Sequence, residues 1–302
     1  MSKKAFLFSG QGAQCAGMAL PILERFPRAA AYFEEADEIC GFPLSELCKY
    51  GTEEELKETT VSQPAILLCS YLWFLIYREE HGRDADYFAG HSLGEYSALL
   101  SAGVLSFRDA LHLIVKRAAY MKRAADKARG SMMAVRNPER EKLLSCIRHA
   151  RYRRGLCLDL ACLNSQKQFV LSGEEGAIRE MAGEIEASGA GEPILLRVSG
   201  AFHSRLMEEA VGALGECLER TRLHPIRGSI LSNVSGRPYR SFSEIRRSLR
   251  RQLISPVHWR ENMHYLFRAG VSEFVEFGAR ATLSGMLRQE EANCHAKLYR
   301  GE

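Results

Sequence analysis

Residues 85–103 read ADYFAGHSLGEYSALLSAG, and this stretch decides the fold class of the chain. The apolar segment at 85–90 predicts a buried strand, and residues 94–103 predict a helix. Between them lies the pattern G-x-S-x-G, in which Ser92 would sit on a sharp strand-to-helix turn with its hydroxyl pointing outward. A strand that passes directly into a helix indicates an α/β protein.

The neighbouring segments extend this α/β pattern. AFLF at 5–8 is apolar and is followed by glycines, which is typical of a central strand. Residues 63–79 predict a buried helix with Pro64 near its first turn. Its apolar run is shorter than the ~18 residues needed to span a membrane, so no membrane span is expected. Further elements are predicted as a helix at 107–128, a helix at 243–254, and strands at SILSNV and EFVEFG.

The order of predicted strands and helices changes after Gly130. Strand and helix patterns follow in the order β-α-β-β-α-β, which is the ferredoxin-like arrangement. We therefore predict a small α+β subdomain at residues 130–197. It would be inserted into a larger α/β subdomain formed by residues 1–129 and 198–302.

Composition excludes several classes of protein. Of 302 residues, 46% are hydrophobic and 26% are charged, as expected for a soluble globular protein. A net charge of +4 is too small to indicate nucleic-acid binding, and no nucleic-acid motif is present. The nine cysteines are odd in number and show no C-x-x-C spacing, which favours reduced thiols in the cytoplasm and argues against zinc. AFLF is too short for the apolar core of a signal peptide.

A nucleophilic serine needs a base, and nine histidines are available. His203 stands out because it lies in a loop between a predicted strand and a predicted helix, where α/β folds display catalytic residues, whereas His258 is ambiguous. From the residues alone, a nucleophile is favoured at Ser92, and a small residue in a structural turn is the alternative. His203 could equally be an ordinary loop histidine.

Four separated stretches resemble one family. They are FLFSGQGAQ at 6–14, GHSLGEYSAL at 90–99, KRAAYM at 116–121 and GAFHSRLM at 200–207. Together they are similar to the malonyl-CoA:acyl-carrier-protein transacylases and the acyltransferase domains of polyketide synthases. The resemblance implies a large α/β-hydrolase-like subdomain with a parallel sheet core and an inserted ferredoxin-like subdomain. The chain departs from the family pattern at one of these positions, because it has Ser9 where the family often has proline.

The resemblance implies a reacting pair and an oxyanion hole. Ser92 would be the acylated nucleophile, and His203 would act as general base and then as general acid. The backbone N–H groups of Gln11 and Leu93 would stabilise the oxyanion. The backbone carbonyl of Ser255 would hold the histidine in place of an aspartate, which fixes the tautomer.

The resemblance also implies the substrate contacts. Arg117 would pair with the free carboxylate of a malonyl group, while Gln63 and His91 would line the pocket. From its own helix pattern, Arg117 could instead be a solvated member of a basic face. In the family, a phenylalanine at the position of Phe202 is typical of members that select malonyl over methylmalonyl. Phe202 could instead simply pack the loop. One methyl group changes binding by only about 1–3 kcal/mol, so this selection could be modest.

The resemblance implies malonyl transfer from malonyl-CoA to the phosphopantetheine thiol of an acyl carrier protein, by a ping-pong mechanism through acyl-Ser92. No cofactor or metal is expected, and the family suggests a monomer. A hydrolase that releases the acyl group to water is the alternative. Two arginine clusters, at 151–154 and at 240–251, could be docking surfaces for an acidic carrier or solvated faces.

Overall fold

The structure, a computed structural model, describes residues 3–82, 84–292 and 294–300. Nine strands lie in this part of the chain: β1 Lys3–Phe8, β2 Tyr87–Gly90, β3 Gly130–Arg136, β4 Leu158–Ser165, β5 Gln168–Glu174, β6 Glu192–Leu195, β7 Ser229–Ile230, β8 Val271–Phe277 and β9 His295–Tyr299. Thirteen α-helices accompany them: α1 Leu20–Arg25, α2 Ala29–Cys40, α3 Leu44–Tyr50, α4 Glu53–Lys57, α5 Thr59–His81, α6 Gly94–Ser101, α7 Phe107–Ala128, α8 Arg140–Arg153, α9 Glu175–Ser188, α10 Glu208–Arg220, α11 Phe242–Gln252, α12 Trp259–Arg268 and α13 Leu283–Glu290.

The larger sheet is parallel and has the strand order β7-β2-β1-β8-β9. Its central strand β1 is buried from Lys4 to Phe8, as expected for a strand covered on both faces. Phe6 lies at the centre of the core, in edge-to-face contact with the rings of Phe74, Tyr77 and Phe277. The predicted α/β class with a parallel sheet core is confirmed.

The smaller sheet is antiparallel and has the order β4-β5-β3-β6. With α8 and α9 on one face, the chain order β-α-β-β-α-β gives the ferredoxin-like topology. These helices and the sheet enclose a second hydrophobic cluster that includes Val135, Leu143, Phe169 and Ile178. All four strands lie inside the predicted insert of residues 130–197, whereas the division into folding units stays a prediction.

Helix α5 runs through the core of the larger part. It begins at Thr59, four residues before the predicted start, so Pro64 lies inside the helix rather than near its first turn. The helix is long and apolar enough to cross a membrane by composition, but 78% of its most apolar window is buried inside the fold. It therefore behaves as the core helix that its short apolar run predicted.

Two predicted strands are shorter than their patterns suggested. SILSNV forms a strand only at Ser229–Ile230, because the chain then turns through Ser232 to Gly236. The last predicted strand of the insert ends at Leu195, and beyond it Leu196 and Val198 line the cavity described below. Each segment makes one more backbone hydrogen bond past its strand, from Leu231 to Phe88 and from Leu196 to Met132. Apolar periodicity does not show where such a segment stops pairing.

Candidate active site

Ser92 lies on the turn between β2 and α6 with a backbone φ of 53°, in the left-handed region that non-glycine residues rarely adopt. A Cβ on Gly90 would lie 1.9 Å from the carbonyl group of Gly94, and a Cβ on Gly94 would lie 2.0 Å from the carbonyl oxygen of Phe8. Both flanking residues must therefore be glycine for the turn to close. This strain holds the Ser92 hydroxyl at the carboxyl edge of the parallel sheet.

His203 completes a nucleophile–base pair. Its Nε2 lies 2.8 Å from the Ser92 Oγ, although 111 residues separate the two in the chain. Its Nδ1 lies 2.8 Å from the backbone carbonyl oxygen of Gln252. A carbonyl only accepts, so Nδ1 carries the proton and Nε2 is left to accept the proton of Ser92.

The carbonyl that holds the histidine differs from the predicted one. The sequence analysis named Ser255, whereas the hydrogen bond goes to Gln252, at the last residue of α11. The backbone of Ser255 also raises the pKa of His203, but by less than the backbone of Gln252 does. The difference arises because the end of α11 decides which carbonyl is exposed, and the sequence placed that end at residue 254.

The basicity of His203 is low in the free site. Burial is the main cause and the positive charge of Arg117 is the second, and together they lower the pKa of His203 to about 3. Both effects disfavour the imidazolium, since a desolvated cation beside another cation is unstable. His203 is therefore neutral and able to accept a proton throughout the physiological pH range.

Arg117 is almost completely buried, with 1% of its surface exposed. Its guanidinium donates to the Gln63 Oε1 at 2.6 Å, to the Ser92 Oγ at 3.1 Å and to the Gln252 Oε1 at 3.0 Å. The adjacent Lys116 is exposed. Of the two interpretations of this helix, the solvated basic face is therefore wrong for Arg117, which points into the site.

None of these three partners of Arg117 is a carboxylate, and within the described residues its Nε has no hydrogen-bond partner. Burial lowers the pKa of Arg117, and the charge of Glu95 opposes this shift, but arginine remains charged at physiological pH. A buried cation with no carboxylate bonded to it attracts an anion strongly. The site is thus prepared for a ligand with a negative charge.

The cavity in front of Ser92 has a volume of about 250 Å³ and lies between the two sheets. Ser92, His203, Arg117, Phe202 and Gln11 line it, and so does His91. Its remaining wall is largely apolar and comes from the smaller sheet, from the segment after β6 and from α13, including Met132, Val170, Leu196, Val198 and Met286. Gln63, which was predicted to line the pocket, instead lies behind Arg117 and orients it.

Three residues of the cavity wall differ in their packing, hydrogen bonding and pKa. Phe202 faces the cavity and also packs in the main core, while its role in selecting malonyl over methylmalonyl stays a prediction. The Nε2 of His91 bonds to the side-chain oxygen of Asn164 at 2.8 Å, and burial lowers the pKa of His91. Burial also raises the pKa of the Cys162 thiol to about 12, so this cysteine is protonated and does not compete with Ser92 as a nucleophile.

The two predicted oxyanion-hole groups lie on opposite sides of Ser92. Within the described residues, neither the backbone N–H of Gln11 nor that of Leu93 has a hydrogen-bond acceptor. Gly10 brings the two segments together, because a Cβ there would lie 2.4 Å from the carbonyl oxygen of His91. Two unsatisfied donors beside a nucleophile are what an oxyanion hole requires.

A buried polar network under Ser92 was missed by the sequence analysis. The Gln252 Nε2 donates to the Ser92 carbonyl oxygen at 3.0 Å and to Glu95 at 2.5 Å. The Ser92 N–H donates to the Asn233 side chain at 2.6 Å. Burial raises the pKa of Glu95 to about 7, while its hydrogen bonds to Tyr239 and Gln252 oppose the shift. Polar residues inside otherwise buried segments were the available signal, since each needs a partner.

The arginine clusters lie outside this cavity. Arg154 pairs with Glu184 at 2.6 Å, and Arg246 donates to two backbone carbonyls near the end of α10. Arg247, Arg250 and Arg251 line a separate groove between α10 and α11 with a volume of about 490 Å³. No group of three or more potential metal ligands occurs among the residues that the structure covers.

Comparison with known proteins gives the family. The chain matches the acyl transferase domain over residues 5–295. It is 39% identical to the malonyl CoA-acyl carrier protein transacylase of Bacillus subtilis strain 168, with 96% of this chain and 90% of the relative covered. It is 37% identical to the polyketide biosynthesis protein ThaF of Burkholderia thailandensis, where the match covers 96% of this chain and 24% of that longer protein.

A solved malonyl-transacylase, in complex with its type II PKS acyl-carrier protein, has a TM-score of 0.95 to this structure at 31% identity. The match covers 100% of this chain and 97% of that one. The resemblance that the sequence motifs indicated is confirmed over nearly the whole length. The chain belongs to the acyl transferase domain family and is an acyltransferase related to the malonyl CoA-acyl carrier protein transacylases.

Proposed function

We propose that this enzyme transfers a malonyl group from malonyl-CoA to the phosphopantetheine thiol of an acyl carrier protein. The single observation that carries the proposal is the position of the Ser92 Oγ, 2.8 Å from the base His203 and 3.1 Å from the buried cation of Arg117. A nucleophile between a base and a buried cation that has no bonded carboxylate suits a substrate that carries an acyl carbon and a nearby negative charge. Malonyl thioesters have both.

In the first half-reaction, the Ser92 oxygen attacks the thioester carbon while His203 takes its proton at Nε2. The tetrahedral oxyanion accepts hydrogen bonds from the N–H groups of Gln11 and Leu93. The carbon–sulfur bond then breaks, and the CoA sulfur leaves with the proton returned by His203. Losing one such N–H donor typically costs about 2.7–4 kcal/mol of barrier, so these two groups supply a large part of the rate.

Arg117 acts on both the substrate and the base. Its planar guanidinium binds the far carboxylate of the malonyl group, and this contact fixes the thioester end beside Ser92. The bound carboxylate also offsets the positive charge that lowers the pKa of His203. Malonyl binding therefore makes His203 a stronger base at the moment when Ser92 must lose its proton.

In the second half-reaction, the phosphopantetheine thiol of the carrier protein enters from the same side. His203 takes the thiol proton, the sulfur attacks the acyl-Ser92 ester, and the Ser92 oxygen recovers the proton when the ester bond breaks. Side chains and backbone groups supply the nucleophile, base, cation and oxyanion donors, so we propose that neither step needs a metal or cofactor. We also propose a cytoplasmic monomer that binds neither nucleic acid nor membrane, which is consistent with its nine free cysteines and small net charge.

Acyl release to water is not favoured as the main outcome. The Bacillus subtilis relative is a transacylase, and one solved malonyl-transacylase forms a complex with its acyl-carrier protein. The cavity also presents apolar wall residues such as Met132 and Val170 around Ser92, which disfavour ordered water. Hydrolysis uses the same acyl-Ser92 ester, so it is measured as the competing route.

The test is intact mass of the protein after incubation with malonyl-CoA, and then with and without holo acyl carrier protein. We expect Ser92 to gain a malonyl mass and to lose it to the carrier at least about tenfold faster than to water, because the thiolate is the better nucleophile in a dry site. Absence of the malonyl mass, or release at equal rates with and without carrier, contradicts the proposal. Acetyl-CoA and methylmalonyl-CoA serve as comparison substrates for Arg117 and Phe202.

The pH dependence of loading reports the state of His203. An ordinary histidine has a pKa near 6.5. Below that pH its imidazole is protonated and cannot act as a base, so kcat/KM would fall about tenfold per pH unit. With the pKa of His203 lowered to about 3, we expect no such loss between pH 8 and pH 5. The measurement is kcat/KM for malonyl-CoA, which reports the free enzyme.

Glu95 is the control for this profile, because its pKa of about 7 falls inside the measured range. A change in rate near pH 7 that disappears in Glu95→Gln belongs to Glu95. A fall near pH 6.5 that persists in Glu95→Gln contradicts the low pKa of His203.

A further inference from the structure

A second buried carboxylate, Glu276, lies at the same edge of the parallel sheet as Ser92 and has no role in the mechanism above. It is the second-last residue of β8, fully buried, and pairs in register with Leu7 of β1. Carboxyl ends of parallel strands carry the functional groups of α/β proteins. An ionisable group at this depth therefore needs a stated role.

Glu276 accepts six hydrogen bonds from two separate segments. The first turn of α13 donates five of them, through two groups of Thr282, the N–H of Leu283 and two groups of Ser284, at 2.7 to 3.1 Å. The sixth comes from the Ser9 hydroxyl at 2.7 Å. The carboxylate thus ties the start of α13 to the loop that follows β1.

That loop carries Gln11, two residues after Ser9. It lies directly against the nucleophile turn, since the Phe8 carbonyl accepts from the His91 N–H at 3.0 Å and Gly10 has no room for a Cβ beside His91. The distance between the N–H groups of Gln11 and Leu93 is therefore set by where this loop sits. Ser9 anchors the loop to Glu276 from the opposite side, and the Gln11 side chain also donates to the Thr59 hydroxyl at 3.2 Å.

We propose that Glu276 is a positioning residue that holds the Gln11 N–H in the oxyanion hole through Ser9. The inference rests on the proposed roles of Gln11 and Leu93. An oxyanion donor must lie about 2.7–3.1 Å from the developing charge, so a displacement of a few tenths of an ångström weakens it. Because the charge exists only in the transition state, the loss appears in kcat and not in substrate binding.

Two serines provide a matched pair for the test. Ser9 and Ser284 are both fully buried, and each donates to Glu276 from its hydroxyl at 2.7 Å. Ser9→Ala releases the oxyanion loop from Glu276 and from the Thr282 hydroxyl, which lies 3.0 Å from the Ser9 hydroxyl, whereas Ser284→Ala removes only a bond between α13 and Glu276. The direct variant Glu276→Gln leaves buried donors without acceptors and can unfold the protein, so the serine pair carries the test.

We expect Ser9→Ala to lower kcat for malonyl loading about tenfold with an unchanged KM, and Ser284→Ala to change kcat less than about twofold. Thermal unfolding of both variants is measured alongside, with similar shifts expected. Equal kcat values in the two variants, or a change confined to KM, would overturn the inference. Loading of the wild-type enzyme distinguishes failure of this inference from failure of the proposed function. If the wild-type enzyme never gains a malonyl mass, the proposed malonyl transfer is wrong, whatever the two serine variants show.

Discussion

Ser92→Ala is expected to abolish malonyl loading, with a fall in kcat of at least about 10⁴-fold, because the ester intermediate has no oxygen on which to form. The same variant should lose transfer to the carrier protein to the same extent. Among the residues that the structure describes, the Ser92 hydroxyl is hydrogen-bonded to His203 and Arg117 alone, and alanine fits the turn as serine does, so the fold should be retained. The measurement is single-turnover loading by intact mass, together with thermal unfolding.

Ser97→Ala is the matched control. Ser97 lies in the helix that follows the nucleophile, is fully buried, and its hydroxyl has no hydrogen-bond partner within the described residues. Its replacement removes the same atom from the helix that follows the nucleophile turn without touching the site, so loading should stay within about twofold of wild type. A malonyl adduct that persists in Ser92→Ala would place the nucleophile elsewhere.

Arg117→Ala is expected to lower kcat/KM for malonyl-CoA by about 100-fold or more, since truncating one partner of a buried charge pair costs about 2–5 kcal/mol. Acetyl-CoA has no far carboxylate that could contact Arg117, so its loading should change much less. The ratio of malonyl to acetyl loading should therefore fall strongly. Steady-state kinetics with both substrates gives this ratio directly.

Two variants isolate the geometry of the contact from its charge. Arg117→Lys keeps the charge but lacks the planar fork, and we expect only partial recovery of malonyl loading. Lys116→Ala removes an exposed cation next to Arg117 in the chain and should leave both substrates unaffected. An equal loss of malonyl and acetyl loading in Arg117→Ala would contradict the carboxylate contact and would leave Arg117 with a structural role alone.

The sequence predicted the elements whose signals are local. The G-x-S-x-G turn between β2 and α6 was predicted because the motif lies between an apolar strand pattern and a helix pattern, and both glycines are sterically required there. Helix α7 begins and ends at the predicted residues, 107 and 128, because its apolar spacing is regular and Ser106 caps its start. Family motifs then named Gln11, Arg117 and His203, which the structure brings to one cavity.

Contacts between distant segments were harder to predict. Ser255 was named where Gln252 makes the bond, because the choice depends on where α11 stops against the core. The helix pattern around Arg117 was compatible with a solvated face, and only burial against α5 and α11 excluded it. Glu276 lay inside a predicted strand, where nothing in the local sequence indicated its partners.

The sequence by itself determined the α/β class, the ferredoxin-like order of the insert and the strained turn under Ser92. These depend on backbone preferences and apolar periodicity, which act over a few residues. The tertiary structure alone decided which groups are buried together: His203 beside Ser92, Arg117 without a carboxylate, and the carbonyl of Gln252 behind the imidazole. Proton affinity and charge pairing depend on burial and on distances across more than a hundred residues of chain, and only the folded chain sets these.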